Sequence, residues 1–309
     1  MYNEQNIIHY SYTDPTGDAQ AIVYQLFPGV EVSYMTIHMA NFDFGSLGQS
    51  TSANYVRIHY CQEGRIEQEV DQDFYYLMPG DCSIALQNST QKPFQLPLHH
   101  YHGISIGMDL DNIHTPLFSY LADCGCPPQD ALQHICGGMS HIVLRSSQIA
   151  KRFFNDLYEA DPDQRLDYLR VKMPELFYRM KAAKTDKSYY DRTLVPHTQV
   201  EIVKAVSDYI TQNINSKITV KELTRAFGVS DTYLQNAFRS VYGMPVIRFI
   251  RAQKMQSAAQ ALIHTTRTID EIAEEYGYEN ESKFSAAFKK IMGDPPGIYR
   301  KEHSKVRIL

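Results

Sequence analysis

The chain lacks most of the features that would assign it to a class at first sight. Its 309 residues include only five cysteines, an odd number of which only Cys124 and Cys126 lie close together. A disulfide framework is not expected, and a reducing compartment is. No apolar run is long enough to span a bilayer, and Met1-Tyr-Asn-Glu has neither the basic nor the apolar region of a signal peptide. The expectation is a cytoplasmic protein with no membrane partner. There is no P-loop, no dinucleotide fingerprint and no nucleophile–base motif, so neither enzyme activity nor a cofactor is expected.

Positive charge is also scarce, with a net charge of -5 that argues against a nucleic-acid binder. That figure hides an asymmetry. From His197 onward there are 16 Lys+Arg and 12 Asp+Glu, whereas residues 1–196 hold 14 and 23. A mildly basic C-terminal part beside an acidic N-terminal part fits phosphate contact by one domain only, with modest and salt-sensitive affinity.

What is present is a passage written twice. The first copy runs Leu223-Thr-Arg-Ala-Phe-Gly228-Val-Ser, then Leu234, then Phe238-Arg239-Ser-Val-Tyr-Gly243-Met-Pro245. The second runs Ile272-Ala-Glu-Glu-Tyr-Gly277-Tyr-Glu, then Phe284, then Phe288-Lys289-Lys-Ile-Met-Gly293-Asp-Pro295, with one extra residue in its turn. Glycine between two short amphipathic helices permits the left-handed backbone of a tight reversal. After it, Leu234 and Phe238, or Phe284 and Phe288, stand one turn apart on a buried face. This is the sequence form of a helix-turn-helix, whose second helix enters a DNA major groove.

The remainder divides by periodicity. Alternation in Tyr55-Val-Arg-Ile-His-Tyr, Gly64-Arg-Ile-Glu-Gln-Glu-Val and Phe74-Tyr-Tyr-Leu-Met, with a turn at Met78-Pro79-Gly80-Asp81, predicts short strands over about 20–110 and a small barrel or jelly roll. Helical spacing covers Ser147–Glu159 and Asp161 to roughly Lys184. In the second of these, Leu166, Leu169, Met173, Leu176 and Met180 form a heptad seam that either packs on the strand domain or joins two protomers. Pro174 within it is a potential kink. Lys184–Pro196 reads as a polar linker. Helices predicted at Val200–Asn213, 219–242, Pro245–Ile263 and 268–292 complete the chain. The segment from Pro245 to Ile263, roughly 25–30 Å long as a helix, would hold two recognition helices about one DNA turn apart.

Gly228-Val-Ser-x-x-Tyr-Leu-x-x-x-Phe-Arg followed by Gly243 resembles the first helix-turn-helix of AraC-type transcriptional regulators. Ile269-x-x-Ile-Ala-x-x-x-Gly-Tyr, then Phe284-x-x-x-Phe-Lys-Lys-x-x-Gly-x-x-Pro-x-x-Tyr299-Arg300, is similar to that family's second motif. The strands with their Pro-Gly-Asp turn resemble, more loosely, the cupin-like sensory barrel of many members. The resemblance implies an α+β protein with three parts. These are a cupin-like β-barrel with helices (1–145), a helical dimerisation region and linker (146–196), and an all-α tandem helix-turn-helix domain (197–309).

It further implies a homodimeric regulator, more an activator than a repressor, that meets promoter DNA and RNA polymerase and answers a small-molecule effector. Base contact falls to Thr232, Gln235 and Asn236 in the first motif and to Glu281, Ser282 and Ser285 in the second, with Arg239, Lys283, Lys289 and Lys290 toward the phosphates. Gln and Asn suit adenine and Thr a thymine methyl. Asn236 stands where the family often has an arginine, so the first motif is expected to lack a guanine anchor. Ala286 likewise replaces an often basic residue, so the second motif should read bases weakly.

Effector contact is expected from Arg57, His59, His100 and His102. Tyr55, Arg57 and His59 share one strand face, and Val56, Ile58 and Tyr60 the other; the polar set is expected to line the pocket. No metal is expected, because Arg57 replaces one histidine of the cupin pattern and the Asp81-Cys82-Ser83-Ile84 segment offers no other. Two rival readings are a cupin metal-dependent enzyme fused to a DNA-binding domain and an architectural DNA binder that senses nothing.

Overall fold

Strand-forming sequence dominates the first 110 residues, and the computed structural model arranges it in two antiparallel sheets. The structure describes residues 6–303 except 15–16, 40, 43–53, 71–72, 88–93, 113–115, 184–193 and 217. Most of the segment expected to be a linker therefore lies outside the described residues. Two compact units divide the chain, Met1–Leu194 and Val195–Leu309.

The first unit holds β1 (Ile7–Asp14), β2 (Gly17–Phe27), β3 (Val30–His38), β4 (Asn41–Phe42), β5 (Tyr55–Gly64), β6 (Ile66–Val70), β7 (Asp73–Leu77), β8 (Cys82–Gln87), β9 (Phe94–Gln95), β10 (Tyr101–Asp109) and β11 (His141–Leu144). The larger sheet runs β1-β2-β3-β10-β5-β8-β11 and the smaller β4-β9-β6-β7. Among the described residues, α1 (Pro116–Asp123) and α2 (Pro128–Cys136) lie between β10 and β11, and α3 (Gln148–Glu159) and α4 (Arg165–Ala182) follow β11.

The larger sheet is buried on both faces. Val56, Ile58 and Tyr60 of β5 and Ile104, Ile106 and Met108 of β10 pack against Phe153, Phe154 and Leu157 of α3 and Phe177 of α4. On the opposite face a second core joins Met35, Ile37 and Tyr101 to Tyr75, Leu77 and Phe94 of the smaller sheet. Glycines in β10 make room there: a Cβ at Gly107 would overlap the Tyr55 hydroxyl, and one at Gly103 the Tyr101 hydroxyl. Helices and sheet are also tied by polar contacts. Tyr34 donates to the Leu157 carbonyl at 2.8 Å, and Arg170 Nε donates to the Leu26 carbonyl at 3.1 Å.

The Met78–Asp81 turn is held by a buried carboxylate. Asp81 accepts from Arg145 Nη1 at 2.6 Å and from the backbone N–H groups of Ser146 and Met78, each at 3.0 Å. A buried carboxylate needs this much company; stripping it of its cation would cost about 3–5 kcal/mol.

The heptad seam lies within the protomer. Leu169, Met173, Leu176 and Met180 are buried in the sheet–helix core, with Leu166 packed at its margin. The 3-4 spacing that suggests a coiled coil equally serves a helix lying on a sheet, and here the sheet takes it. Pro174 sits inside an unbroken α4.

The second unit contains α5 (His197–Gln212), α6 (Val220–Phe227), α7 (Asp231–Tyr242), α8 (Val246–His264), α9 (Ile269–Glu275), α10 (Glu281–Met292) and α11 (Pro296–His303).

Candidate nucleic-acid interface

Each helix-turn-helix is started and stopped by side chains that the sequence places at its caps. Thr219 Oγ1 accepts from Glu222 N at 3.2 Å to open α6, and Ser230 Oγ accepts from Tyr233 N at 3.2 Å to open α7. In the second copy Thr268 and Glu271 form a reciprocal capping box at the start of α9. Asn280 Oδ1 accepts from Lys283 N at 2.9 Å to open α10. Each such cap is worth about 1 kcal/mol. Gly228 (φ 64°) and Gly277 (φ 82°) take the left-handed turn between the helices. The extra residue of the second turn lies between Gly277 and the Asn280 cap.

Aromatic side chains set the angle of each recognition helix. In the first copy Phe238, Tyr242 and Phe249 of α8 form a triangle with centroid separations of 5.3, 5.4 and 4.3 Å. In the second, Phe284 and Phe288 meet Tyr278 and Tyr299 at 5.5 and 5.3 Å. Such pairs add about 0.5–1.5 kcal/mol each beyond area burial. Helix α8 joins the two halves: Val246, Phe249 and Ile250 are buried at its start, while Met255, Ala258, Ala259 and Leu262 belong to the second copy's core. Its 19 residues span about 28 Å.

The terminal Tyr299-Arg300 pair is structural. Tyr299 packs on Phe288, and Arg300 donates from Nε to the Leu262 carbonyl at 3.0 Å and from Nη2 to the Arg267 carbonyl at 2.6 Å. Lys254 likewise donates to the Tyr276 carbonyl at 3.1 Å, closing the end of α9. The Leu262 and Tyr276 carbonyls are ones orphaned at helix ends, and the Arg267 carbonyl lies in the α8–α9 loop.

With Leu234, Ala237 and Phe238 buried, α7 turns Thr232, Asn236 and Arg239 outward and leaves Gln235 half-buried beside them. Gln235 Nε2 donates to Asp231 Oδ1 at 3.1 Å, its Oε1 is buried without a partner, and Arg239 Nη1 donates to Asn236 Oδ1 at 3.3 Å. On α10, Glu281, Ser282, Lys283, Lys289 and Lys290 are exposed and Ser285 is half-buried. Lys283 pairs with Glu279, while Lys289 and Lys290 stand in the last turn. All ten candidates thus lie on the two second helices. Sequence reading missed Asp231, which holds Gln235; its position four residues ahead on a helix was the available signal.

The four effector candidates, by contrast, do not converge. Arg57 and His59 are buried between the sheets. Arg57 Nη2 donates to the Tyr55 hydroxyl at 3.4 Å, and His59 stands edge-on to Phe94 at 5.1 Å. Burial, reinforced by Arg57 and His141, drives the His59 imidazole well below its ordinary range. His100 and His102 sit near Glu63, which is opposite His102 across the β10–β5 ladder. Glu63 lies six positions after Arg57 along β5, about 20 Å of strand. Burial likewise lowers His100 and His102 from the usual imidazole range. Cys124 is an exposed free thiol and Cys126 a buried one.

The family described as helix-turn-helix domain matches residues 223–302. Among similar proteins, the Transposon Tn10 TetD protein of Escherichia coli is 32% identical over 124 residues, covering 40% of this chain and 87% of its own. The HTH-type transcriptional activator AarP of Providencia stuartii is 28% identical over 106 residues, covering 34% and 78%. The solved C-terminal domain of AraT, a response regulator from Geobacillus stearothermophilus, is 33% identical, covering 33% of this chain and 84% of its own at a TM-score of 0.32. Among the described residues no helix is long and apolar enough to cross a membrane.

Proposed function

The chain belongs, through its C-terminal unit, to the AraC family of helix-turn-helix DNA-binding regulators, and from that premise we propose that it is a sequence-specific transcriptional activator whose N-terminal unit senses a small molecule. The observation that carries the DNA-reading part is a pair of capped recognition helices joined by α8, each presenting a polar face. Thr232, Gln235 and Asn236 read bases, Glu281, Ser282 and Ser285 add weaker discrimination, and Arg239, Lys283, Lys289 and Lys290 hold phosphates. Selecting random-sequence duplexes on the purified protein tests this. The proposal expects an enriched site of two unequal halves about one helical turn apart, with no enrichment as the contrary result, which would favour an architectural binder.

The N-terminal unit fits a cupin-like sensor in being two antiparallel sheets with buried facing sides. An apolar cavity of about 300 Å³ under its helices, lined by Ile58, Ile84, Phe153, Phe154, Leu176 and Met180, is the space an effector would take. In this reading the ligand is mostly apolar, and Arg57, His59, His100 and His102 do not line it. An effector that prefers one arrangement of the protein shifts the population that binds DNA and engages RNA polymerase. Ala150 of α3 also lines the cavity, and Ala150→Phe, which fills it, should abolish an effector's influence on DNA affinity without abolishing binding. A response that survives it rules the cavity out. If the protein is a dimer, the joining face is not the Leu169–Met180 seam.

A further inference from the structure

At one end of the larger sheet, four neighbouring strands bring three imidazoles and two carboxylates together. His38 ends β3, His100 precedes β10 and His102 lies on β10, while Asp18 is opposite His38 on β2 and Glu63 opposite His102 on β5. A left-handed residue, His99 (φ 53°), closes the turn before β10 and leads into this segment. One nitrogen from each of His38, His100 and His102 falls within 4.8 Å of the others.

We propose that His38, His100 and His102 bind a divalent transition-metal ion of the zinc type, a site that the expected absence of metal did not anticipate. Four distances support it. His38 Nε2 and His102 Nε2 face each other at 3.3 Å. Two nitrogens each about 2.0–2.1 Å from a tetrahedral zinc stand about 3.3 Å apart, so the ion fits with little movement. The remaining ring nitrogens of the same two residues face carboxylates: His38 Nδ1 is 3.7 Å from Asp18 Oδ2, and His102 Nδ1 is 3.3 Å from Glu63 Oε2. Glu63 is within hydrogen-bond distance of His102 Nδ1, and Asp18 lies just beyond that distance from His38 Nδ1. Carboxylates so placed orient ligating imidazoles and raise their basicity, the usual outer shell of a histidine-bound metal. His100 Nε2, 3.5 Å from Glu63 Oε2, brings the third ring to the same place.

Neutral imidazole suits zinc, copper and nickel, whereas magnesium and calcium prefer oxygen. The rings are partly exposed, with side-chain exposures of 44%, 35% and 30% for His38, His100 and His102, which gives an ion an entry path. Sequence reading placed His100 and His102 together among the effector contacts but had no means of adding His38, which lies 62 positions before His100 and becomes a neighbour only through the β3–β10 pairing.

The test is metal titration of the tag-free full-length chain after chelator treatment, with Zn²⁺ followed by calorimetry and Co²⁺ by visible absorption. The proposal expects one ion per chain and tetrahedral Co²⁺ bands without a thiolate charge-transfer band. His38→Gln and His102→Gln should abolish measurable binding, and Glu63→Gln should weaken it about 10–100-fold. A Cys124→Ser/Cys126→Ser double variant should bind as the parent does. Melting curves without metal establish that each variant is folded, and wild-type Co²⁺ ligation reports on the site even where a variant is not. Absence of stoichiometric binding, affinity unmoved by both histidine changes in folded protein, or a thiolate signature would overturn the proposal.

Discussion

Asp231 accepts a hydrogen bond from Gln235 Nε2 at 3.1 Å, one turn along the first recognition helix. The contact restrains the amide expected to meet a base and places a carboxylate beside the phosphates the same helix must approach. Removing it should therefore have two opposed effects. Asp231→Ala should raise affinity for random duplex, because an anion is lost, and lower the preference for the selected site by about twofold, the scale of an i,i+4 contact. Fluorescence anisotropy on both duplexes measures the two effects separately. A loss of affinity on random DNA would show that Asp231 is needed to hold the helix itself.

The seam of α4 gives a second prediction. Leu169 is 1% exposed and belongs to the core shared with the sheet. A carboxylate there has no partner, and burying it is expensive. Leu169→Glu should drop the melting temperature of the N-terminal unit sharply while leaving the mass in solution, by light scattering, unchanged for whatever protein remains folded. Well-folded monomers from a parent dimer would place the seam between protomers.

A third concerns acid. Lys172 Nζ bridges Asp156 at 2.7 Å and Glu175 at 2.6 Å, tying α3 to α4, and Arg179 Nε donates to Glu175 at 2.5 Å. Burial opposes the charged form of Glu175, but hydrogen bonds from Lys172 and Arg179 outweigh it and hold the carboxyl below the ordinary range. A depressed folded value means stability that is present above the unfolded value, about 4.3, and lost as pH falls through the folded one. Melting curves from pH 7 to pH 3 should show that loss in the parent and a shallower one in Lys172→Met. Identical acid profiles would remove the clamp from the explanation.

The C-terminal unit was legible because its information is local. Gly228 and Gly277 mark the turns, and Leu234/Phe238 and Phe284/Phe288 repeat at one helical turn, whereas the caps at Ser230, Thr268 and Asn280 emerged only with the structure. The N-terminal unit was less so. β10 inserts between β3 and β5, a pairing that no local pattern encodes, and it alone brings His38 to His102. Alternation on β5 left the choice between Val56/Ile58 and Arg57/His59 as the inward set, and both sets are inward, one toward helices and one toward the second sheet. A strand covered on both sides loses the contrast on which such a choice depends. The heptad of α4 left its partner open for a related reason: periodicity reports that a face is buried, not what buries it, and here the sheet does.

The most direct test of the central claim, that α7 reads bases while α10 largely holds phosphates, is the affinity of Gln235→Ala and Lys289→Ala for the selected site and for random duplex across a salt series. Gln235→Ala should lose about 1–3 kcal/mol on the selected site and almost nothing on random DNA. Lys289→Ala should weaken both alike and reduce the salt slope by about one unit. Equal losses on both duplexes for Gln235→Ala would contradict base reading by this helix.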